Sequence, residues 1–321
     1  MVDEASESVP SAAARNALGA GVPHGFSVRH SPAGLTGHWH DVIELGDGRT
    51  GVLVGCCPGG AGPGPVRSAA RATLIRTADP VQSLSGVSGS GVSALCAVID
   101  GATIGYSSRG GSDTVVAEPE APTQVLTDAQ GRLVVAPLRP GATVLLCTGR
   151  IGPAAAALDG CEAVPPEQVA DQVMARLAGA AGAGVAAVVY RHPPEPLCIA
   201  LPAEPANLAV GRGLLRQWLG AAGVDPESCA DLVLAVGEAT ANATEHAVVG
   251  AVGQVTITIT ASITGSRLSI TVADTGVWKP ASAEVGHRGH GIPLINALVD
   301  SAELTSTPEG TTVAMVKELR R

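Results

Sequence analysis

The sequence predicts an α+β protein of two domains, and three observations carry that reading. The chain is 321 residues long, more than a single domain of ~100–200 residues needs. From Gly25 to Arg191 short β-rich runs dominate with only two helical stretches among them, whereas the rest of the chain combines long helical stretches with alternating Val/Ile and Thr/Ser strands. Between these halves, His192-Pro-Pro-Glu-Pro-Leu197 contains three prolines that remove backbone donors, so neither a helix nor a central strand runs through it. The expected division is a flexible leader over 1–24, a first domain over 25–191, a Pro-rich linker over 192–198 and a second domain over 199–321.

In the first domain, Asp41–Leu45 and Gly51–Gly55 flank Gly46-Asp47-Gly48, an Asp-Gly hairpin turn. Ala94–Asp100 and Thr103–Ser107 form a second hairpin around Gly101, and Thr143–Cys147 and Val185–Tyr190 read as buried strands. Helices are predicted over Pro65–Thr77 and Pro166–Ala178, the second started by Pro165-Pro166. In the second domain, Asn207–Ala222 and Glu227–Ala247 have helical spacing, the latter after the start signal Asp225-Pro226. Gln254–Ala261 and Arg267–Asp274 alternate as a half-buried antiparallel hairpin should, with Thr264-Gly265 at the turn. A helix over Ile292–Asp300 and a strand over Thr311–Val316 follow, so helices are expected on one face of an antiparallel sheet.

Composition narrows the function. Hydrophobic residues make up 45% and charged residues 15%, enough apolar surface to fold. Aromatics are only 2%, which argues against stacking of single-stranded nucleic acid. The formal net charge is −9, and neither half is basic, so direct nucleic-acid binding is not expected. No apolar run reaches the ~18 residues of a membrane span, and Met1–Ala14 carries acids where a signal peptide carries its basic region. A cytoplasmic protein is expected. Of seven cysteines only Cys56 and Cys57 are close in sequence, which suggests neither a disulfide framework nor a CxxC zinc pattern.

Four polar stations in the second domain point to chemistry. Glu238 and Asn242 lie four apart in a helical stretch whose positions Leu232, Leu234 and Val236 are apolar, so a carboxylate and an amide share one face, a pair suited to metal and phosphate work. Asp274-Thr-Gly276 ends a strand and leaves an acceptor carboxylate beside a glycine. Gly286-His-Arg-Gly289-His-Gly291 precedes a helix, whose N-terminus and backbone N–H groups suit phosphate oxygens. Gly310-Thr-Thr312 opens the last strand with hydroxyls. In this order the segments are jointly specific.

With these boxes, residues from about Leu201 to Leu319 resemble the GHKL nucleotide-binding superfamily, and most closely the anti-sigma-factor serine kinases with their histidine-kinase-like ATPase fold. That resemblance implies a Bergerat-type α/β sandwich binding ATP and Mg²⁺. It assigns Asn242 to Mg²⁺, Asp274 to the adenine amino group, Gly276 to room for the base, and Gly289 and Gly291 to a mobile lid along the phosphates, with Gly286 among the nucleotide-binding residues and Thr312 completing the pocket. Glu238 matches the residue that takes the proton from a protein serine hydroxyl, consistent with a transfer that needs positioning more than covalent help. His246 reads as a helix-packing residue.

The first domain has a fainter resemblance to the metal-dependent serine/threonine phosphatases of the sporulation-stage-II-E type, a PPM β-sandwich flanked by helices. It rests on Leu35-Thr-Gly37-His-Trp39-His-Asp41-Val, the strand Gly51–Gly55, Ala94–Asp100, Thr143-Val-Leu-Leu-Cys147-Thr148-Gly149 and Val185–Arg191. Such enzymes need several aspartates for two hard cations. Here His38, Cys56, Gly149 and the Ala183-Gly184 pair stand where the pattern has aspartates, and Asp41 alone survives. A pseudophosphatase is the expectation, and phosphatase activity is not. His38, His40, Cys56 and Cys57 have ligand types that fit a zinc site, and the vicinal cysteines fit a redox role; a partner-binding module is favoured over both.

The combined expectation is a cytoplasmic partner-switching regulator. Its second domain would bind ATP with Mg²⁺, phosphorylate a serine of a STAS-type anti-sigma-factor antagonist and sequester a sigma factor, with a homodimer implied by family resemblance. The alternatives are a nucleotide-gated scaffold without phosphoryl transfer and a residual serine phosphatase.

Overall fold

The computed structural model describes residues 23–30, 37–57, 64–119, 121–126, 131–149, 155–156, 158–161, 164–178, 185–246, 254–276 and 291–319. Two five-stranded antiparallel sheets stack in the first half. One has the order β2 (His38–Gly46), β3 (Arg49–Cys56), β4 (Ser93–Asp100), β5 (Thr103–Arg109), β8 (Val134–Pro137). The other has the order β1 (Phe26–His30), β10 (Ala186–Arg191), β9 (Thr143–Cys147), β6 (Asp113–Ala117), β7 (Gln124–Leu126). The β2–β3 turn is the two residues Asp47 and Gly48, both at positive φ (51° and 75°), the twist a tight hairpin requires.

Strand alternation then sorts the side chains. Val52, Val54, Leu95, Tyr106, Val144, Leu146 and Val188 meet between the sheets. On the outside of the first sheet, α1 (Gly64–Thr77) and α2 (Pro80–Ser83) bury Leu74 and Leu84 against Trp39, Ile43 and Leu53. On the outside of the second, α3 (Pro166–Ala178) buries Val169 and Val173 against Leu145 and Val189. Arg191 is only 1% exposed. Its guanidinium donates to Thr143 Oγ1 at 2.8 Å and to the Cys161 and Val164 carbonyls at 2.7 and 3.1 Å, which satisfies an otherwise costly buried cation.

The second half has one antiparallel sheet, ordered β11 (Leu197–Pro202), β12 (Thr256–Thr264), β13 (Arg267–Asp274), β15 (Gly310–Glu318), β14 (Ser301–Thr307). Ile257, Ile259, Leu268, Ile270, Val272, Val313 and Met315 point to a core built with α4 (Pro205–Ala221), α5 (Pro226–His246) and α6 (Gly291–Leu298). Asp225 caps α5 by accepting from the Ser228 N–H at 2.9 Å, and Pro226 occupies the first turn. Strand β11 begins at Leu197, inside the stretch expected as linker, because Pro196 is the last residue without a donor and Leu197 already pairs with Ala261. Strand β14 was not expected: it is an edge strand exposed along most of its length, so its sequence carries no alternation. The halves touch where His24 Nε2 meets the Ala222 carbonyl at 3.1 Å and Trp218 Nε1 donates to the Glu195 carbonyl at 2.7 Å.

Candidate functional site

Helix α5 crosses the apolar side of the second sheet and packs on β13 and α6. It presents Glu238 and Asn242 one turn apart, both half-buried. The first residue of α6 faces them. A methyl group on the Gly291 α carbon would lie 2.6 Å from Asn242 Nδ2 and 2.7 Å from Glu238 Oε1. Without a side chain at 291 the α6 N-terminus comes this close to the carboxylate and the amide with neither having to shift.

Asp274 ends β13 on the helix-facing side, in the same parity as Leu268, Ile270 and Val272. Its Oδ1 accepts from the Gly276 N–H at 2.9 Å. Burial pushes its carboxyl above the usual carboxylate range, while N–H donation from Gly276 and Thr311 pulls the other way. Gly310, at φ 148°, passes against the Asp274 carbonyl so tightly that no side chain fits. The buried Gly276 and the half-buried, hydrogen-bonded Asp274 thus share one strand end.

Strand register corrects one expected residue. Thr312 pairs with Ala273 and points to the opposite side of the sheet, away from Asp274. Thr311 is the cross-strand partner of Asp274, shares its face and is 6% exposed. The parity of β15, which puts Val313 and Met315 in the core, was enough to find it. Gly286 and Gly289 lie outside the described residues, as does the side chain of His246.

At the other end of the chain, Val42, Val52 and Val54 face the inter-sheet core, so His38, His40 and Cys56, at the same parity, face inward too. They form two pairs. His30 Nε2 meets His40 Nδ1 at 2.7 Å, and Cys56 Sγ meets His38 Nε2 at 3.6 Å. Burial holds His30 down to about 4, with His40, His38 and Arg67 adding to the effect. Burial and the neighbouring Cys57 push the Cys56 thiol up, the wrong direction for a reactive thiolate. Among the described residues no group of three or more His, Cys, Asp or Glu side chains stands ready for a metal ion.

Asp41 does not share a face with His38, His40 and Cys56. It lies at the parity of Trp39 and Ile43, on the outer face under α1. Arg67 grips both its oxygens at 2.9 Å and Arg71 adds a third bond at 2.8 Å. Its side chain is only 5% exposed. Thr148, next to the Gly149 that stands where the pattern has an aspartate, is spent on backbone: its N–H donates to the Ala186 carbonyl and its Oγ1 accepts from the Ala186 N–H, each at 3.1 Å. Ala183 and Gly184 lie outside the described residues.

A separate cleft of about 730 Å³ lies between the halves, lined in part by Glu44, Asp47, Asp100, Tyr190 and Thr264. It sits at the turn ends of β2–β3 and β12–β13, opposite the strand ends that carry Cys56 and Asp274.

The helix-and-sheet fold of the second half agrees with the comparisons. Residues 201–317 match the family model of the histidine kinase-like ATPase domain. The chain is similar to the serine-protein kinase RsbW of Bacillus mycoides (strain KBAB4), 29% identical over 142 residues that cover 40% of this chain and 87% of that protein. The solved structure of the RsbU and RsbW domains of Rv1364c from Mycobacterium tuberculosis shares its fold, with a TM-score of 0.56, 23% identity, and coverage of 94% of this chain and 96% of that one. The chain therefore joins a two-sheet sandwich to a domain that matches the histidine kinase-like ATPase model, in the fold of that two-domain structure. No helix among the described residues is long and apolar enough to cross a membrane.

Proposed function

We propose that this chain is a cytoplasmic partner-switching regulator whose ATPase-type domain, over 199–321, binds ATP with Mg²⁺ and phosphorylates a serine of a STAS-type anti-sigma-factor antagonist. The observation that carries it is the meeting of Glu238, Asn242 and Gly291, with Asp274 at a strand end on the same side of the sheet. The residues present suit the nucleotide: a half-buried acceptor in Asp274, a buried glycine at 276, and a helix N-terminus admitted by the missing side chain at 291.

ATP with Mg²⁺ would supply the phosphoryl group and neutralise its charge. Asn242 would hold the metal through its amide oxygen. Asp274 would accept from the adenine amino group, with Thr311 beside it in the pocket. The α6 N–H groups, with Gly286, Gly289 and Gly291, would face the phosphates. Glu238, one turn from the metal ligand, would accept the proton of the incoming serine hydroxyl, its Oε1 lying beside the α6 N-terminus at Gly291.

The 25–191 domain serves as a pseudophosphatase that binds or regulates a partner, joined through 192–198. Its surviving aspartate is committed to Arg67 and Arg71, which supports loss of dinuclear metal chemistry. Sequestration of a sigma factor and homodimerisation complete the reading.

The test uses the full chain, radiolabelled ATP and purified STAS-domain proteins. Glu238→Ala should abolish serine labelling and leave ATP affinity by calorimetry unchanged. Regulation that survives Glu238→Ala would favour a nucleotide-gated scaffold. No heat of ATP binding by the wild type would overturn both. Release of phosphate from a phosphoserine antagonist in the presence of Mn²⁺ would restore the phosphatase reading.

A further inference from the structure

Leu234 breaks the pattern of its helix. Its neighbours Leu232 and Val236 are 1% and 0% exposed, yet Leu234 is 51% exposed, on the same face as Glu238 one turn later. The sequence reading grouped all three leucine and valine positions as the apolar side; the helix period puts Leu234 with the polar residues instead.

A second exposed leucine stands alongside. Helix α6 runs antiparallel to α5 and is tied at both ends. Gly291 abuts Glu238 and Asn242. At the far end the Leu298 carbonyl accepts from Lys317 Nζ at 2.8 Å, and Lys317 pairs with Asp231 of α5 at 3.8 Å. Residue 294, midway along α6, is therefore level with the 234–238 turn. It is 36% exposed, whereas the adjacent Ile295 is fully buried in the core. Single exposed leucines are ordinary. Two on neighbouring helices, at the level of a carboxylate that the kinase reading assigns to a protein hydroxyl, offer it an apolar surface. The same face of α5 also carries the exposed Glu227 and Glu245, while Asp231 is offset by Lys317, so the surround keeps a net negative charge.

We infer that Leu234 and Leu294 form the docking shelf for the protein substrate, seating an apolar side chain next to the accepting serine on a partner segment with a basic flank. This inference rests on the kinase reading above. It goes beyond that reading by fixing what the substrate presents: a hydroxyl for Glu238, an apolar residue about one helical turn (~5 Å) away, and positive charge beyond it. Removing a leucine from such a contact weakens docking without touching nucleotide or chemistry.

The experiment measures serine labelling of purified STAS-domain proteins by the full chain with radiolabelled ATP. For a substrate the wild type labels, Leu234→Ala and Leu294→Ala should each raise KM for that protein about tenfold, with kcat and ATP affinity retained. Retained ATP affinity also reports an intact fold. Leu304→Ala, which removes a 38% exposed leucine on edge strand β14, should leave KM unchanged. A double Leu234→Ala, Leu294→Ala variant whose KM matches the wild type overturns the docking shelf and leaves the kinase reading standing. A wild type that binds ATP and labels no STAS-domain protein overturns the kinase reading, and the shelf with it.

Discussion

Gly291 lies so close to Glu238 that a methyl group on its α carbon would come within 2.7 Å of Glu238 Oε1, and within 2.6 Å of Asn242 Nδ2. Its φ lies outside the left-handed region, so an alanine there suits the helix and adds up to ~1 kcal/mol of helix propensity. The contacted atoms are the ends of flexible side chains, so Gly291→Ala folds by moving the two groups that matter most. The expected outcome is a melting temperature equal to or above the wild type, ATP affinity about tenfold weaker and serine labelling at least ~100-fold slower. Calorimetry, thermal melts and labelling check it together; an alanine variant with full labelling shows that this contact does not position Glu238.

Asp274 predicts how nucleotide binding depends on pH. Burial raises its carboxyl above 3.8, partly offset by the Gly276 and Thr311 N–H groups. A carboxylate that must accept from an amino group works only when ionised, so ATP affinity should fall as pH drops through this raised value, earlier than an ordinary aspartate allows. For folding the sign is opposite. A raised carboxyl stabilises the fold fully below its unfolded value and loses that contribution as pH rises through the folded value. Asp274→Asn should therefore fold at neutral pH at least as well as the wild type while losing ATP affinity. Fluorescent-nucleotide titrations from pH 7 to 4 read the first part and thermal melts the second.

Much of this site was legible in the sequence because its residues sit where periodic patterns stop. The alternation of β13 ends at Asp274, and the α5 period sets Glu238 over Asn242, so both positions followed from spacing. Thr311 was missed because two threonines follow Gly310 and spacing alone does not choose between them; the register Asp274 to Thr311 does. Leu234 was grouped with the apolar positions Leu232 and Val236, although the 100° helix step puts it over Glu238. Asp41 was read as the last of a metal cluster from its motif. Its place one residue from His40 sends it to the other face of β2, where two arginines some 26 and 30 residues later in the chain meet it. Nor did any local pattern pair His30 with His40, since that contact crosses between sheets.

The Asp41 clasp is structural, and its removal has a calculable direction. The carboxylate is 5% exposed and the arginine side chains are each 45% exposed, so water screens part of the attraction. Arg67→Ala removes two of three hydrogen bonds and leaves a buried carboxylate held by Arg71 alone, a cost of about 1–3 kcal/mol. Asp41→Asn keeps an acceptor for one arginine and should cost less than Arg67→Ala. Urea denaturation of the full chain checks the order. Mn²⁺ binding gained by an Arg67→Ala, Arg71→Ala variant would show instead that the arginines block a competent metal site.

The His30–His40 pair makes the sandwich sensitive to acid. The 2.7 Å contact between His30 Nε2 and His40 Nδ1 requires one ring to donate and the other to accept, and two charged rings cannot do so. Burial first, then His40, His38 and Arg67, hold His30 at about 4 against 6.5 when unfolded. His40 is also lowered, by burial and Arg67, with Asp41 pulling it up. Between these values the unfolded chain binds the proton and the folded chain does not, so stability is complete above pH 6.5 and is lost as pH falls toward 4. His30→Gln retains a hydrogen-bonding side chain and removes the titration. Across pH 7 to 4.5 the melting temperature of the wild type should therefore fall more steeply than that of His30→Gln, and parallel curves for the two proteins would place the acid sensitivity elsewhere.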